Sequence, residues 1–363
     1  ARVRLAPGSE VEVRGVGAQL DRSALESRRP TRANQGRLQR AEADQDALES
    51  RRQNPVVANQ AAEYSAQRQL AYDASAEVVY AEVDEQRAKD IADAFDELPA
   101  MNLDDPETRA AYRAMADETI EQFEYLEAQG VEFIPWAGKG EPYVNSEEMI
   151  SDVEENQRLF YFKTINPEDP ATFGSDVEEY ISQGHPLFEE YGDPVPDSEG
   201  NLHQQNINDL FRAVHDYFGH AKEGFQFGPR GEENAWRVHS QMYTPQARRA
   251  MTTETRGQNS WVNFNASLRR DDGSLPVRGD EDYIPLPQRP YADQKVALLP
   301  EQYAMLDEEV ESGVTALRSR RANTKKQVDE VLAAVKANTA REVLENTESD
   351  ILKWMDPEEA RGF

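Results

Sequence analysis

The sequence predicts a mainly α-helical protein, with a helical-bundle core, a small β element and a long helical or extended N-terminal arm. Three observations carry that prediction. Apolar residues recur at spacings of three and four over long stretches of the chain. Helix start and stop signals bracket two of these stretches, Asp105-Pro106 with Gly130 and Thr244-Pro245. Only short runs, 131–136 and 158–164, read as strands of a core sheet.

In chain order, residues 1–16 read as a hairpin, because Val3 and Leu5 alternate with Arg, Pro7-Gly8 supplies the turn, and Val11 and Val13 alternate with Glu. Residues 17–54 are polar and repeat Ala-Leu-Glu-Ser-Arg-Arg at 24–29 and 47–52. With little to bury, they read as a tether or partner-binding arm. The core domain is expected over 55–299. It opens with a helix from about Ala76 to Leu98, closed by Pro99. The next helix has Asp105 as cap and Pro106 at its first position, and buries Ala111, Met115, Thr119, Phe123 and Leu126. The strands at 131–136 and 158–164 flank a helix over about 146–156. Residues 165–205 read as an irregular excursion, 207–257 as helices, and 266–290 as a polar loop. The tail, 300–363, is helical, with Val328, Val331, Leu332 and Val335 spaced to pack on the body or on a neighbour.

Composition narrows the function classes. The 363 residues hold 40 Lys and Arg against 69 Asp and Glu, a net charge of −29. A surface so acidic argues against direct, sequence-specific nucleic-acid binding. The absence of Cys removes disulfides, thiolate zinc sites, iron–sulfur clusters and thiol nucleophiles. No apolar run approaches the roughly 18–20 residues that span a bilayer, and no secretory signal pattern opens the chain, so a soluble protein without a membrane span is expected.

The chemistry concentrates in 207–263, which holds three of the five His. On a wheel of about 100° per residue, His215 sits at the edge of the apolar stripe Leu210, Phe211, Val214, Phe218. Asp216 and His220 form an i, i+4 pair on another face, unless Gly219 ends the helix and lets His220 swing towards His215. In the next helix Glu232, Trp236, His239 and Tyr243 share one face. In the third, Ala247, Met251, Glu254 and Gln258 do. Imidazoles and carboxylates projecting inward from facing helices are how bundles hold a divalent metal. Without Cys, the set His215, Asp216, His220, His239 and Glu254 suits Zn, Fe or Mn, with Glu232 or Glu254 left over as general base. The same groups also suit a buried polar network paired with Arg237, Arg248 or Arg256. Arg256, Gln258, Asn259 and Trp261 suit recognition of a polar substrate. His185 and His203 fall in loops and read as surface residues, with a distal ligand role as the other option. No His-Glu-x-x-His helix and no Gly-x-Ser-x-Gly elbow is present.

Two resemblances arise at these residues. Val214-His-Asp-Tyr-Phe-Gly-His-Ala221, followed by Gly231-Glu232, resembles the His-Asp…Gly-His core of HD-domain phosphohydrolases. That resemblance implies metal binding by His215 and Asp216 and a phosphoester substrate. Residues 90–305, including Tyr291-Ala-Asp-Gln-Lys-Val-Ala-Leu-Leu-Pro300, resemble an uncharacterised region of tailed-phage virion-associated and polyvalent proteins. This implies a virion or host-cytoplasm setting, with other virion proteins or a second copy as partners through the arm and the C-terminal helices.

The expectation is therefore a phage-particle-associated protein with a helical His/Asp/Glu metal site acting in metal-assisted hydrolysis, phosphoester favoured over amide. The alternative is a non-enzymatic virion component in which the same residues are structural.

Overall fold

The computed structural model of the chain describes residues 2–4 and 10–12 as backbone, and then 53–74, 78, 80–138, 142–165, 177–285 and 288–306. The expectations for the arm between 13 and 52 and for the tail from 307 onward lie outside the described residues. Strand β1 (Arg2–Arg4) pairs antiparallel with β2 (Glu10–Glu12), Val3 opposite Val11, as the alternating valines predict.

The body takes in residues that composition assigned to the arm. The Asn54 N–H donates to the Lys222 carbonyl at 2.8 Å, and the Asn54 side chain accepts from the N–H groups of Val56 and Val57. It thereby caps helix α1 (Pro55–Gln67). Gln53 donates to Glu223 at 3.1 Å. Helix α1 buries Val57, Ala61 and Tyr64, a thin stripe in an Ala- and Gln-rich segment. Helix α2 (Glu85–Glu97) starts at an Asp84 cap, later than the expected Ala76. Helix α3 (Pro106–Ala128) is bounded as the sequence predicts: the Asp105 carboxylate accepts from Thr108 N–H at 2.8 Å, and Gly130 adopts φ +87°.

Strand β3 (Glu132–Trp136), helix α4 (Ser146–Asn156) and β4 (Arg158–Phe162) form a parallel pair joined by a helix, Glu132 opposite Arg158 and Trp136 opposite Phe162. Their inner faces meet α1 and α3 in the main core: Tyr64, Phe123, Phe133, Met149, Val153, Leu159 and Tyr161, with Leu210, Val214 and Phe218 from the segment that carries the histidines. Each such apolar side chain contributes roughly 1.5–3 kcal/mol by leaving water, so the histidine segment is anchored by its apolar face.

Residues 177–206 are more regular than the expected excursion. They form helix α5 (Val177–Ser182) and an antiparallel hairpin, β5 (Glu190–Pro196) with β6 (Leu202–Asn206). These strands are held by ladder hydrogen bonds between polar, largely solvent-facing residues, so no hydrophobic alternation announces them. Asn206 then starts α6 (Ile207–His215) through a capping box. Its side chain accepts from Asp209 N–H at 3.0 Å, and the Asp209 carboxylate accepts from Asn206 N–H at 3.2 Å. Helices α7 (Pro229–His239), α8 (Pro245–Thr252) and α9 (Gln258–Phe264) complete the body. Widened π turns follow α6, at Asp216–Ala221, and α8, at Thr253–Gly257. These elements belong to one unit ending at Ala304. Among the described residues no helix is long and apolar enough to cross a membrane.

Candidate metal centre

On a regular α-helix His215 and His220 would point about 140° apart. The π turn removes that angle. Lys222 N–H reaches the Tyr217 carbonyl at 3.1 Å, and Phe225 N–H reaches the His220 carbonyl at 3.2 Å. Both are i→i+5 bonds, and residues five apart then lie over one another. The two imidazoles come to 5.3 Å between ring centroids, edge to face. Gly219 therefore does not end the helix; it makes room. A Cβ there would sit 3.2 Å from Ala235 Cβ and 3.3 Å from the His215 ring.

Glu232, in the first turn of α7, supplies a carboxylate. Its placement depends on Gly231, where a Cβ would fall 1.9 Å from the Gln226 carbonyl oxygen. The ligand-capable atoms of His215, His220 and Glu232 all lie within 4.8 Å of one another. His215 Nε2 and His220 Nε2 are 3.8 and 3.5 Å from Glu232 Oε2. Donors about 2.0–2.1 Å from one tetrahedral cation are about 3.4 Å apart, so each imidazole needs to approach Glu232 by only a few tenths of an ångström. The two imidazole nitrogens, within 4.8 Å of each other, need to close by up to about 1.4 Å. Among the described residues no other three His or carboxylate side chains are gathered so closely.

Hydrogen bonds and burial set the protonation of the three groups. His220 Nδ1–H donates to the Phe225 carbonyl at 3.0 Å, which leaves Nε2 for the site. His215 Nε2 is buried and has no protein hydrogen-bond partner. Burial pushes the His215 pKa down and holds the ring neutral. At His220 burial acts in the same direction, but Glu232 outweighs it and raises the pKa. Burial works to raise Glu232, yet the two imidazoles hold it well below the usual carboxylate range.

The other expected ligands stand elsewhere. His239 has both ring nitrogens engaged, Nδ1 at 3.0 Å from His215 Nδ1 and Nε2 at 2.8 Å from Gln122 Oε1, so it backs His215 instead of joining the ligands. Asp216 is half-buried and borders the cleft, outside the three-donor cluster. The carboxylate comes from Glu232, a departure from the His-Asp pairing that the HD resemblance implies. Glu254 is likewise outside the cluster. Its oxygens face the Tyr112 hydroxyl at 2.7 Å, Gln294 Nε2 at 2.7 and 2.8 Å, and Gln258 Nε2 at 3.0 Å. Burial raises its pKa to about 7.

A cleft of about 250 Å³ opens over the cluster. His215, Asp216, Glu232, Glu254, Gln258 and Asn259 border it, together with Arg212 and Arg289. Arg256 and Trp261, expected to bind substrate, do not. Arg256 is buried against Glu233, Nε to Oε2 at 2.9 Å, and stacks over Trp236 with Cζ 3.9 Å from the ring. Trp261 donates to Asp96 and packs beside Ile91, Phe95 and Leu299. The π turn at 253–257 shifts the phase that a regular helix would carry through to Trp261, while Arg256 lies about 200° from Glu254 even on a regular helix.

His185 and His203 are not surface residues. His185 is 1 % exposed, accepts from Leu187 N–H at 3.2 Å, and is held by burial at a pKa of about 3. His203 Nε2 is 2.8 Å from the buried Asp209. Gln122, Tyr112, Gln294, Arg212 and Arg289 were not singled out by the sequence. Gln122 had a signal, a polar residue at the position of an apolar stripe three residues after Thr119. Tyr112 and Gln294 had none, lying far from Glu254 in the chain. No family model, characterised protein or solved structure matches this chain, so the site is read from its geometry alone.

Proposed function

We propose that the protein is a metal-dependent hydrolase whose divalent cation, Zn, Fe or Mn, is held by His215, His220 and Glu232. The observation that carries this reading is the convergence of two imidazole Nε2 atoms and one carboxylate, of which His215 and Glu232 border a cleft and His220 is buried behind them. Two nitrogens and one oxygen suit these metals and leave coordination positions open. A cation there supplies Lewis acidity and lowers the pKa of a water it holds. Around it, the chain's own groups do the rest. With a cation bound, Arg212 and Arg289 add to its positive charge beside the cleft carboxylates Asp216, Glu232 and Glu254, which suits a negatively charged substrate and supports phosphoester over amide. Glu254, buried at the cleft wall with a pKa of about 7, is suited to transfer a proton near neutral pH.

The virion-associated setting, and partners among other virion proteins or a second copy, belong to the same proposal and rest on the sequence resemblance alone. A second reading has its own observation. His220 and Glu232, 3.5 Å apart, make a buried ion pair without any cation, as a non-enzymatic component requires. Metal analysis of the purified protein, followed by assay on p-nitrophenyl phosphate and a peptide before and after chelation, separates the two. Phosphoesterase activity lost on chelation and restored by metal supports the hydrolase. A metal-free, inactive protein with unchanged melting after chelation supports the ion pair.

A further inference from the structure

Behind the three donors lies a chain of hydrogen bonds in which each donor and acceptor follows from the one before. Gln122 is buried on α3. Its Nε2 donates to the Met242 carbonyl at 3.3 Å. A carbonyl only accepts, so the amide group of Gln122 is oriented and its Oε1 is the atom 2.8 Å from His239 Nε2. An amide oxygen also only accepts, so His239 Nε2 carries a hydrogen. The His239 ring is walled by Phe211, Phe218 and Tyr243, surroundings that disfavour an imidazolium. Its Nδ1 is therefore the bare nitrogen. That nitrogen lies 3.0 Å from His215 Nδ1, which must then be the N–H of the pair. What remains on His215 is a lone pair on Nε2, the buried atom with no protein partner that faces Glu232.

We propose that Gln122 is a positioning residue for the metal centre: through His239 it fixes His215 in the tautomer whose Nε2 lone pair points at the cation. The inference rests on the metal reading above and adds its source of preorganisation, from a helix 93 residues away in sequence from His215. The effect is a preset ligand. In the other tautomer, Nε2–H would point at the cation and Nδ1 would be left without a hydrogen for His239.

The chain has five His, so selectively ¹⁵N-labelled imidazoles are resolvable by long-range ¹H–¹⁵N correlation in the metal-free full-length protein. The expected spectrum shows His215 protonated on Nδ1 alone and His239 on Nε2 alone. Zn²⁺ titration then compares wild type with Gln122→Met, which keeps the volume and removes the acceptor, and with Gln122→Glu, which keeps an acceptor for His239. Gln122→Met is expected to populate both His215 tautomers and to bind Zn²⁺ roughly 10–100-fold more weakly, the usual loss for an outer partner of a ligand histidine. Gln122→Glu is expected to retain the wild-type tautomer. The proposal is overturned if wild-type His215 carries its proton on Nε2, or if Gln122→Met changes neither tautomer nor affinity. Tautomers as derived with no Zn²⁺ binding by wild type would instead overturn the metal reading, on different data.

Discussion

The Tyr112 hydroxyl lies 2.7 Å from Glu254 Oε1 and 2.8 Å from the Lys295 carbonyl oxygen. It has one hydrogen for two acceptors. That hydrogen is shared between them, with the Tyr112 hydroxyl donating to both the Glu254 carboxyl and the Lys295 carbonyl. Burial nonetheless holds this carboxyl at a pKa of about 7, against the lowering by the hydrogen bonds it accepts from Gln294, Tyr112 and Gln258.

A pH dependence of stability follows. Between an ordinary value of 4.5 and about 7, the unfolded chain ionises this carboxyl while the folded chain does not. The folded state then binds more protons, so stability falls as pH rises through that window, by about 3 kcal/mol at most. Glu254→Gln removes this titrating group. Denaturant melts of wild type and variant from pH 4 to 8 should diverge in favour of the variant as pH rises; parallel curves would show an ionised Glu254.

Metal affinity should rise with pH across the neutral range. Glu232 raises the His220 pKa, so in the metal-free protein a proton occupies the place of the cation and must leave on binding. Calorimetric titration of Zn²⁺ in buffers of different ionisation enthalpy should show proton release. No buffer dependence at neutral pH would mean that His220 is already neutral.

Two glycines should separate folding from ligation. Gly231→Ala forces a Cβ into the Gln226 carbonyl and should destabilise by about 3 kcal/mol or more. Gly219→Ala meets only contacts of 3.2–3.3 Å and should lose about 1 kcal/mol, while displacing the His215 ring and weakening metal binding. Thermal melts with and without Zn²⁺ read both effects.

Removing residues 1–52 should leave the melting temperature nearly unchanged, whereas removing 1–54 takes away the Asn54 cap and should lower stability by about 1 kcal/mol. Equal melts for the two truncations would show that the cap contributes nothing.

How much of this was legible in the sequence depended on whether local chemistry decided the local structure. Helix α3 was legible because Asp105-Pro106 and Gly130 mark its ends whatever packs against it, and α8 was legible through Thr244-Pro245. The gathering of His215, Glu232 and His239 on neighbouring helices was legible from their shared apolar faces. Their roles were not, because a wheel assumes 100° per residue and the two π turns break that phase. One brings His220 over His215; the other turns Trp261 away from the cleft, whereas Arg256, about 200° from Glu254 on any regular helix, was read from residue type and not from phase. The hairpin of β5 and β6 was silent because its side chains are polar. His185 read as a surface residue because the aromatic residues that bury it, Tyr112, Tyr180 and Phe188, include one far away in sequence.

The most direct test of the account is the stoichiometry of Zn²⁺ or Mn²⁺ bound to the metal-stripped full-length protein, measured by equilibrium dialysis with elemental analysis, for wild type, Glu232→Gln and Glu254→Gln. The account predicts one ion per chain in wild type and in Glu254→Gln, and a loss in Glu232→Gln. No bound ion in wild type, or binding abolished by Glu254→Gln and untouched by Glu232→Gln, would contradict it.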